Sequence, residues 1–417
     1  MTTVGLIGFG VVSFRGDQRT ALLPGETTHG HYQIELSCES CHTAPFTGTD
    51  EMQDACVGCH GDELAAAEDS HPKSKFTDPR NASRVAKLDA RYCVTCHAEH
   101  RPEATAAMGL SLPDDYCYQC HLDVAEERPT HKGLGFETCA DAGCHNFHDN
   151  RALYEDFLVA HSGETPNHPV ATTLIREWVA DAEPPPEVSA EPPAGWVGSA
   201  HHLSEIACSD CHRASNPADA GWVGTVSPDK CGDCHEAEVA QFGRGRHGMR
   251  WAADLAPMTP GEARLTMRSE SADRELDCNT CHTSHRYDTE SAAVGACLGC
   301  HEDEHSLAYA ASPHADLWRG EVSGSLPPGS GVSCATCHLP RVASGEHIRV
   351  QHNQNANLRP NEKMIRSVCV SCHGVGFSID ALADPALVLR NFDAAPGVRV
   401  ESITMATGRL SERERIE

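Results

Sequence analysis

The cysteines of this 417-residue chain occur in pairs, and each pair is followed at once by a histidine. Ten pairs have the spacing C-x-x-C-H, while "CADAGCH", Cys139 to His145, has four residues between its cysteines. All 22 cysteines belong to these eleven motifs. The motifs are Cys38, Cys41 and His42; Cys56, Cys59 and His60; Cys93, Cys96 and His97; Cys117, Cys120 and His121; Cys139, Cys144 and His145; Cys208, Cys211 and His212; Cys231, Cys234 and His235; Cys278, Cys281 and His282; Cys297, Cys300 and His301; Cys334, Cys337 and His338; and Cys369, Cys372 and His373.

Paired thiols beside an imidazole could bind zinc, exchange disulfides or attach haem. A zinc ribbon places no demand on the residue after its second cysteine, and neither does a disulfide framework. At this histidine content, chance would place fewer than one histidine after eleven pairs. Thioredoxin-like sites occur singly, on a βαβ unit. C-x-x-C-H is the attachment signature of haem c, in which two thioethers hold the porphyrin and the imidazole is the proximal iron ligand. The sequence therefore predicts a multihaem c-type cytochrome with eleven haem c groups.

The composition agrees with a core made largely of porphyrin. Only 5% of the residues are aromatic, which is few for a chain of this length. Eleven haems would supply the large flat groups that aromatic side chains otherwise provide. The stretches around the motifs carry little β signal. We predict a mainly α fold with much irregular coil, little β-structure and a haem-packed core, in which neighbouring haems form a continuous chain.

Sixteen further histidines are available as second axial ligands, and several recur at fixed positions. His31 and His201 stand seven residues before a first cysteine, and other histidines follow a second motif by 10 to 13 residues or complete C-H-x-x-H. We predict bis-histidine ligation, which favours low reduction potentials relative to Met/His ligation. The predicted distal ligands are His31, His71, His100, His131, His148, His201, His247, His285, His314, His347 and His352. The alternatives are His29, His161, His168, His202 and His305, of which His161 and His305 are the strongest.

The same spacings indicate an internal repeat of two motifs. Its copies are Cys38–His71, Cys93–His131, Cys208–His247, Cys278–His314 and, more loosely, Cys334–His373, with the Cys139 motif outside them. An acidic, proline-rich stretch at 181–197 reads as a linker. It would separate a pentahaem module, 21–180, from a hexahaem module, 198–417, which ends in a short tail. Short helices are predicted at 260–271 and at 380–392, where Pro385 could interrupt the second.

The N-terminal residues 1–20 are apolar from Thr2 to Phe14, a stretch too short to span a bilayer. We interpret them as the remnant of a signal peptide or of a membrane anchor, which would allow a tether to the inner membrane. The formal net charge of −27 argues against nucleic acid as a partner. The acidity serves either solubility or the steering of a basic redox partner.

Two parts of the chain resemble known cytochrome families. Residues 29–148 resemble class III and related small multihaem cytochromes through the upstream histidine, "DSHP" around His71, "CHAEH" and "CADAGCH". The six-motif half is similar to the octahaem cytochromes that include hydroxylamine oxidoreductase and tetrathionate reductase, through Cys231–Gly248, Cys297–His314 and Gly331–Pro340. Both resemblances imply a multihaem cytochrome c fold. The chain has no C-x-x-C-K motif, and no cross-linking tyrosine is identifiable, so the resemblance to enzymes is weakened.

Three functions follow from these observations. The first is respiratory electron transfer in the periplasm between other redox proteins, such as quinol-side cytochromes or terminal reductase or oxidase cytochromes. The second is an oxidoreductase acting on a small nitrogen or sulfur oxyanion at one five-coordinate haem, with Arg244, Arg246 and Arg250 as cationic groups that could equally pair with haem propionates. The third is a self-associating haem wire, in which spare histidines bind haems of the next subunit.

Overall fold

The structure is a computed structural model, and it describes residues 19–20, 22–44, 48–67, 69–105, 109–113, 115–128, 131–132, 147–148, 155–163, 195–197, 199–213, 222–283, 285, 289–344, 347–358 and 363–416. The apolar N-terminal stretch and most of the predicted linker lie outside these ranges. Among the helices of the described residues, none combines the length and the apolarity needed to cross a bilayer.

In the N-terminal half, one long helix is followed by short ones. The α-helices are α1 (Thr49–Ala66), α2 (Lys73–Thr77), α3 (Ala82–Val85), α4 (Cys93–Cys96), α5 (Val124–Glu127) and α6 (Glu155–Ala160). Single 3₁₀ turns occur at Tyr32–Ile34, Cys38–Ser40, Pro79–Asn81, Pro102–Ala104 and Tyr116–Gln119.

The C-terminal half has the same character. Its α-helices are α7 (Ala200–Leu203), α8 (Cys208–His212), α9 (Pro228–Gly232), α10 (Glu236–Arg244), α11 (Met249–Ala252), α12 (Cys278–Cys281), α13 (Ala296–Leu298), α14 (Glu304–Ala308), α15 (Pro313–Val322), α16 (Cys334–His338), α17 (Asn355–Leu358), α18 (Lys363–Ser367), α19 (Val375–Leu382), α20 (Pro385–Leu389) and α21 (Ser402–Ile416). Further 3₁₀ turns lie at Pro260–Glu262, Ser269–Ser271, Tyr309–Ala311 and Cys369–Ser371, and one π-helical turn spans Ser291–Gly295. Strands β1 (Arg341–Ser344) and β2 (His347–Val350) pair antiparallel, with Arg341 opposite Val350.

The predicted fold class is therefore confirmed: the described chain is mainly helix and irregular coil, with one small hairpin. Local start signals set several helix boundaries. The Ser312 hydroxyl accepts the backbone N–H of Ala315 at 3.2 Å, and proline occupies the first position of α15. Asp384 caps α20 in the same way, so the predicted 380–392 helix divides just before Pro385. The predicted 260–271 helix is two separate 3₁₀ turns.

The described apolar core is small, and it joins the two halves of the chain. Leu158 of α6 packs with Ile365, Val375, Ile379 and Ala406, each of which is at most 6% exposed. The C-terminal helix α21 is therefore anchored against the N-terminal half. The Arg366 guanidinium lies 3.9 Å from the centre of the Phe157 ring, which adds a cation–π contact beside the same cluster.

A second set of contacts joins the halves on the side of the Tyr32–Ile34 turn, and we call it the seam. The Arg264 guanidinium lies 4.4 Å from the Tyr32 ring centre and 3.6 Å from a Glu26 carboxylate oxygen. Arg244 pairs with Asp62 of α1 at 3.0 Å. Ser37 donates to the Ala253 carbonyl oxygen at 3.3 Å, and Arg246 donates to the His29 carbonyl oxygen at 3.2 Å. The two predicted modules thus share both a core and a polar interface.

Truncating Ile365 tests the joint core. Ile365 is fully buried, so Ile365→Ala should lower the free energy of unfolding by about 2–5 kcal/mol through lost burial and a residual cavity. Leu389→Ala is the matched control, because Leu389 is 47% exposed and its truncation should cost less than about 0.5 kcal/mol. Guanidinium unfolding followed by circular dichroism measures both. Equal effects of the two substitutions would contradict the assignment of this cluster as the core.

Candidate functional site

Each described cysteine motif folds as one helical turn. The backbone N–H of the motif histidine donates to the carbonyl oxygen of the first cysteine, for example at 2.8 Å from His97 to Cys93 and at 2.9 Å from His282 to Cys278. This four-residue turn places both thiols and the imidazole on one side of the backbone. Polar caps support such short helices: Asp277 accepts the Thr280 N–H at 2.9 Å.

The second cysteines of the motifs differ in burial, whereas the described first cysteines are all half-buried. Cys300 is 7% exposed, Cys120 is half-buried, and Cys59 and Cys372 are exposed. Cys144 lies outside the described residues, together with the rest of its motif. No disulfide joins any two cysteines of the part of the chain that the structure describes. These thiols are therefore not joined in disulfides in the described part of the chain, and haem attachment at each of them stays a prediction.

Nine motif histidines each face one histidine from outside the motifs. The distance between the centres of the two imidazole rings ranges from 5.8 to 6.4 Å. The pairs, with the motif histidine second, are His31–His60, His71–His121, His148–His97, His201–His235, His285–His212, His247–His301, His352–His282, His305–His338 and His314–His373.

This separation is close to that of two imidazoles that share one metal ion. A metal–imidazole bond of about 2.0–2.1 Å and a nitrogen about 1.2 Å from its ring centre give about 6.4–6.6 Å between the centres of two rings on opposite sides of an ion, and the observed distances lie at or a little below this range. Among the described residues, no group of three or more His, Cys, Asp or Glu side chains converges to hold an ion. The nine histidine pairs offer two donors each, which would suit the two protein ligands of a haem iron better than the four ligands of a structural zinc site.

Eight predicted distal ligands lie in these pairs: His31, His71, His148, His201, His247, His285, His314 and His352. His305, which the sequence offered as an alternative, faces His338 at 6.1 Å. His347 lies in β2, and its side chain is outside the described part of the chain, as are His145 and His168 altogether. His42, His100 and His131 are described but are not members of the nine pairs.

His100 nevertheless has the marks of an oriented ligand. Its φ of 59° is in the left-handed region, which is uncommon for a side chain of this size. Its Nδ1 donates to the Gly25 carbonyl oxygen at 2.8 Å. A Cβ at Gly25 would lie 2.6 Å from the His100 carbonyl oxygen, so only glycine permits this approach. The loop holds the His100 ring in one orientation.

Burial disfavours the protonated form of several facing imidazoles, which suits metal ligands, whereas the nearby Glu63 carboxylate raises the pKa of His60. Burial lowers the pKa of His247 to about 4, assisted by the facing ring of His301. Burial likewise lowers the pKa of His338 to about 4, with a smaller contribution from His305. The pKa of His314 is lowered by burial and then by His373.

Hydrogen bonds at Nδ1 orient several of the rings, and at His305 the Asn391 amide also lies 3.3 Å from Nε2. His71, His305 and His352 donate to backbone carbonyl oxygens at 2.6, 2.6 and 2.9 Å. Such bonds fix the tautomer of a metal-binding histidine. His31 differs because its Nδ1 lies 2.6 Å from the Glu99 carboxylate. Burial alone raises the pKa of Glu99, but hydrogen bonds from His31 and Thr28 outweigh burial and lower this pKa to about 2.

The first cysteines of three consecutive motif pairs lie close together. The thiols of Cys56 and Cys93 are near enough to shift each other's pKa, and the same holds for Cys231 with Cys278 and for Cys297 with Cys334. Gln53, one helical turn before Cys56, accepts the backbone N–H of Cys93 at 2.8 Å. Groups attached at these thiols would therefore be close neighbours.

The residues fit covalently attached haem. Each described motif offers two thiols and an imidazole on one turn, and nine motifs have an opposed imidazole at the distance for one iron. A cavity of about 470 Å³ also opens beside Cys234, between Gln241 of α10 and Arg349 of β2. The donor set and the adjacent space are those of haem c.

The predicted cationic group is engaged by protein atoms. Arg244 pairs with Asp62 at 3.0 Å, and Arg250 pairs with Glu262 at 3.3 Å. Arg246 donates to the His29 carbonyl oxygen. These contacts give the arginines roles in packing at and near the seam.

Two tryptophans beside a histidine pair were missed by sequence reasoning. The Trp222 ring stacks on His212 with ring centres 4.5 Å apart and an angle of 2° between the planes, although Trp222 is 67% exposed. Trp196 meets His285, which faces His212, at 6.1 Å. The two indoles flank the His212–His285 pair, and no spacing in the sequence predicts them.

Comparisons with known proteins agree with the motif chemistry. The cytochrome c3 family matches residues 30–122. The nine-heme cytochrome c of Desulfovibrio desulfuricans (strain ATCC 27774 / DSM 6949 / MB) is 24% identical over 271 residues, which cover 60% of this chain and 77% of that protein. No solved structure gives a significant match.

The choice between His305 and His347 gives a direct test of the facing geometry. Because His305 faces His338 at 6.1 Å, His305→Ala should convert one low-spin haem into a high-spin haem that binds carbon monoxide when reduced. His347→Ala should leave the visible spectrum and carbon monoxide binding unchanged. Titration of the reduced protein with carbon monoxide measures both. A new carbon monoxide site in the His347 variant alone would contradict the geometry.

Proposed function

We propose that this chain, a multihaem c-type cytochrome that transfers electrons through several haems, carries them along eleven bis-histidine haems between redox partners outside the cytoplasm. The observation that carries the proposal is the set of nine opposed histidine pairs. A bound haem supplies an iron that alternates between the ferric and ferrous states. The paired imidazoles would hold the iron between them and leave no place for substrate, which favours electron transfer over catalysis.

The pairs recur in the same order in both halves, which extends the repeat to five motifs. His31 and His201, upstream of the first motif, face the histidines of the second motif. His71 and His247 face those of the fourth. In this alignment of the two halves, the first motifs are those that begin at Cys38 and Cys208.

The third motif completes the correspondence. His148 and His352 each follow the fifth motif of their half, and they face the third-motif histidines His97 and His282. His285, in C-H-x-x-H, faces the first-motif histidine His212. The equivalent partners in the N-terminal half are His100 and His42.

We therefore assign His100 to the iron of His42, in agreement with its oriented ring. The predicted ligand His131 is then assigned to the iron of His145, whose thioethers would be those of Cys139 and Cys144. In the C-terminal half, His305 occupies the position opposite the fifth motif, which leaves His314 for the additional motif of His373. The assignments account for eleven haem c groups.

Contacts between motifs support a continuous route. The three thiol–thiol contacts link the second motif to the third in each half, and the fourth to the fifth in the C-terminal half. Each contact would bring two haem edges together. Electrons would pass most readily across these junctions, since tunnelling weakens steeply with distance.

The alternative, an oxidoreductase for a nitrogen or sulfur oxyanion, needs one iron with an open position. Arg244, Arg246 and Arg250 were the cationic candidates for binding such an anion, and their protein contacts favour a structural role. Arg246→Ala with unchanged electron transfer would agree with that role. The proposed haem wire of stacked subunits remains a separate prediction.

The proposed location is the periplasm, where c-type haem is attached and where multihaem c-type cytochromes typically function. The proposed partners are other redox proteins, on the quinol side or at a terminal reductase or oxidase. A net charge of −27 favours partners with basic surfaces, since opposite charge speeds encounter. A tether through the N-terminal segment is part of the proposal and would add a membrane-bound form.

Adjacent histidines provide a matched pair of variants for ligation. His201 faces His235 at 6.2 Å, so His201→Ala should produce one additional carbon monoxide-binding haem. His202→Ala removes a neighbouring imidazole of the same helix and should produce none. Magnetic circular dichroism of the ferric protein gives the spin state independently. If the His202 variant, and not the His201 variant, became high-spin, the ligand assignment would be wrong.

A further inference from the structure

Glu99 makes an unusual contact with one member of a histidine pair. Its Oε1 lies 2.6 Å from His31 Nδ1, and Oε1 also accepts the Thr28 hydroxyl at 2.9 Å. Its Oε2 accepts the Thr28 backbone N–H at 2.8 Å. The side chains of His31 and Glu99 are one third and one quarter exposed, so water screens this contact only in part. Three donors therefore fix the carboxylate against the ring.

The contact is shorter than those of three other ring Nδ1 atoms with carboxylates, which lie at 3.3 Å (His148–Asp69), 3.6 Å (His301–Asp303) and 3.8 Å (His60–Glu63). His71, His305 and His352 donate Nδ1–H to neutral backbone carbonyl oxygens. Asp69 is the carboxylate at His148, but the distance there is 3.3 Å. In the second copy of the repeat, the ligand equivalent to His31 is His201, and Ser284 of "CHTSH" stands where "CHAEH" has Glu99.

The His31–His60 pair lies at the seam between the halves. His31 directly precedes the Tyr32–Ile34 turn, and Tyr32 contacts Arg264. His60 belongs to α1, whose Asp62 pairs with Arg244. The pKa of Glu63 is lowered first by its hydrogen bond with His60, against burial, and then by the charges of Lys363 and Arg244 from the C-terminal half. The pair is thus surrounded by both halves.

A carboxylate that accepts Nδ1–H makes the imidazole a stronger electron donor toward the metal. It also places a negative charge near the iron. Both effects stabilise the ferric state over the ferrous state, and both therefore lower the reduction potential. A backbone carbonyl oxygen exerts the first effect more weakly and lacks the full charge.

We propose that Glu99 is a positioning residue that, through His31, lowers the reduction potential of the haem of the His31–His60 pair. The proposal rests on the ligation proposed above. One electron enters or leaves the iron, and the Nδ1 proton stays between His31 and Glu99 in both states. Glu99 thereby sets the energy of the step at which electrons cross the seam.

The test is Glu99→Gln, with Glu103→Gln as the matched control. Glu103 carries the same charge in the same segment, but its side chain is 72% exposed and it pairs only distantly with Arg101, at 4.0 Å. Redox titration of the full-length holoprotein is followed by electron paramagnetic resonance of the ferric low-spin signals. His31→Ala identifies the signal of this haem as the one that is lost.

Glu99→Gln should raise the midpoint of that signal by an amount equal to a tenfold change in the oxidised-to-reduced ratio, which is 59 mV for one electron. The Glu103 variant should leave it in place. Glu99→Asp keeps the negative charge but shortens the side chain by one methylene, so the carboxylate lies farther from His31. The midpoint of this variant should therefore fall between those of the wild type and the Glu99→Gln variant. This second variant provides the measurement if Glu99→Gln does not mature.

The outcomes separate this inference from the ligation on which it rests. If His31→Ala removes one low-spin signal but Glu99→Gln and Glu103→Gln give the same midpoint for it, Glu99 does not tune the haem and the ligation stands. If His31→Ala removes no low-spin signal, the ligand assignment fails and this inference fails with it.

Discussion

The rest of the structure depends on the close approach of two imidazole rings, one from a cysteine motif and one from outside the motifs, across a gap that one haem iron would fill. Each such pair joins two chain segments that are distant in sequence, such as the loop of His31 with α1, or α14 with α16. Nine such links tie the described chain together at 5.8 to 6.4 Å between rings. They explain how short helices and coil can hold a fixed arrangement with one modest apolar cluster around Ile365. In the proposed ligation they would also determine function, because an iron with two protein ligands is closed to substrate.

The two halves of the chain are connected in more than one way. The apolar cluster binds α6 to α18, α19 and α21, and the seam joins the first turns of the N-terminal half to α11 and the segment after it. The His31–His60 pair lies against that seam, so a residue that tunes it would act on electron transfer between the halves. The five-motif repeat gives the wild-type chain an internal reference, because the His201–His235 pair has the same place in the second copy.

The motif chemistry is a prediction from the sequence alone, because thioether attachment requires fixed local spacing, and the described motifs fold as the helical turns that such attachment needs. Distal ligands are harder, since they come from remote segments and only three-dimensional packing selects among candidates. His201 is identifiable by its place seven residues before Cys208, whereas His305 follows none of the recurrent spacings and stood only as an alternative. The interruption of the 380–392 helix is predicted correctly, because α19 ends at Leu382 and Pro385 begins the separate helix α20. The roles of Glu99 and Trp222 are set by tertiary contacts, so no local pattern could have predicted them.

Low-temperature electron paramagnetic resonance of the ferric protein, quantified against a covalent haem count from intact mass, tests the central claim most directly. We expect eleven haems per chain, with every iron low-spin under two imidazoles. A folded protein from a cytochrome-maturing host that contained zinc or no bound iron would contradict the account. High-spin iron that amounted to one or more irons per chain at the nine opposed pairs would also contradict the account.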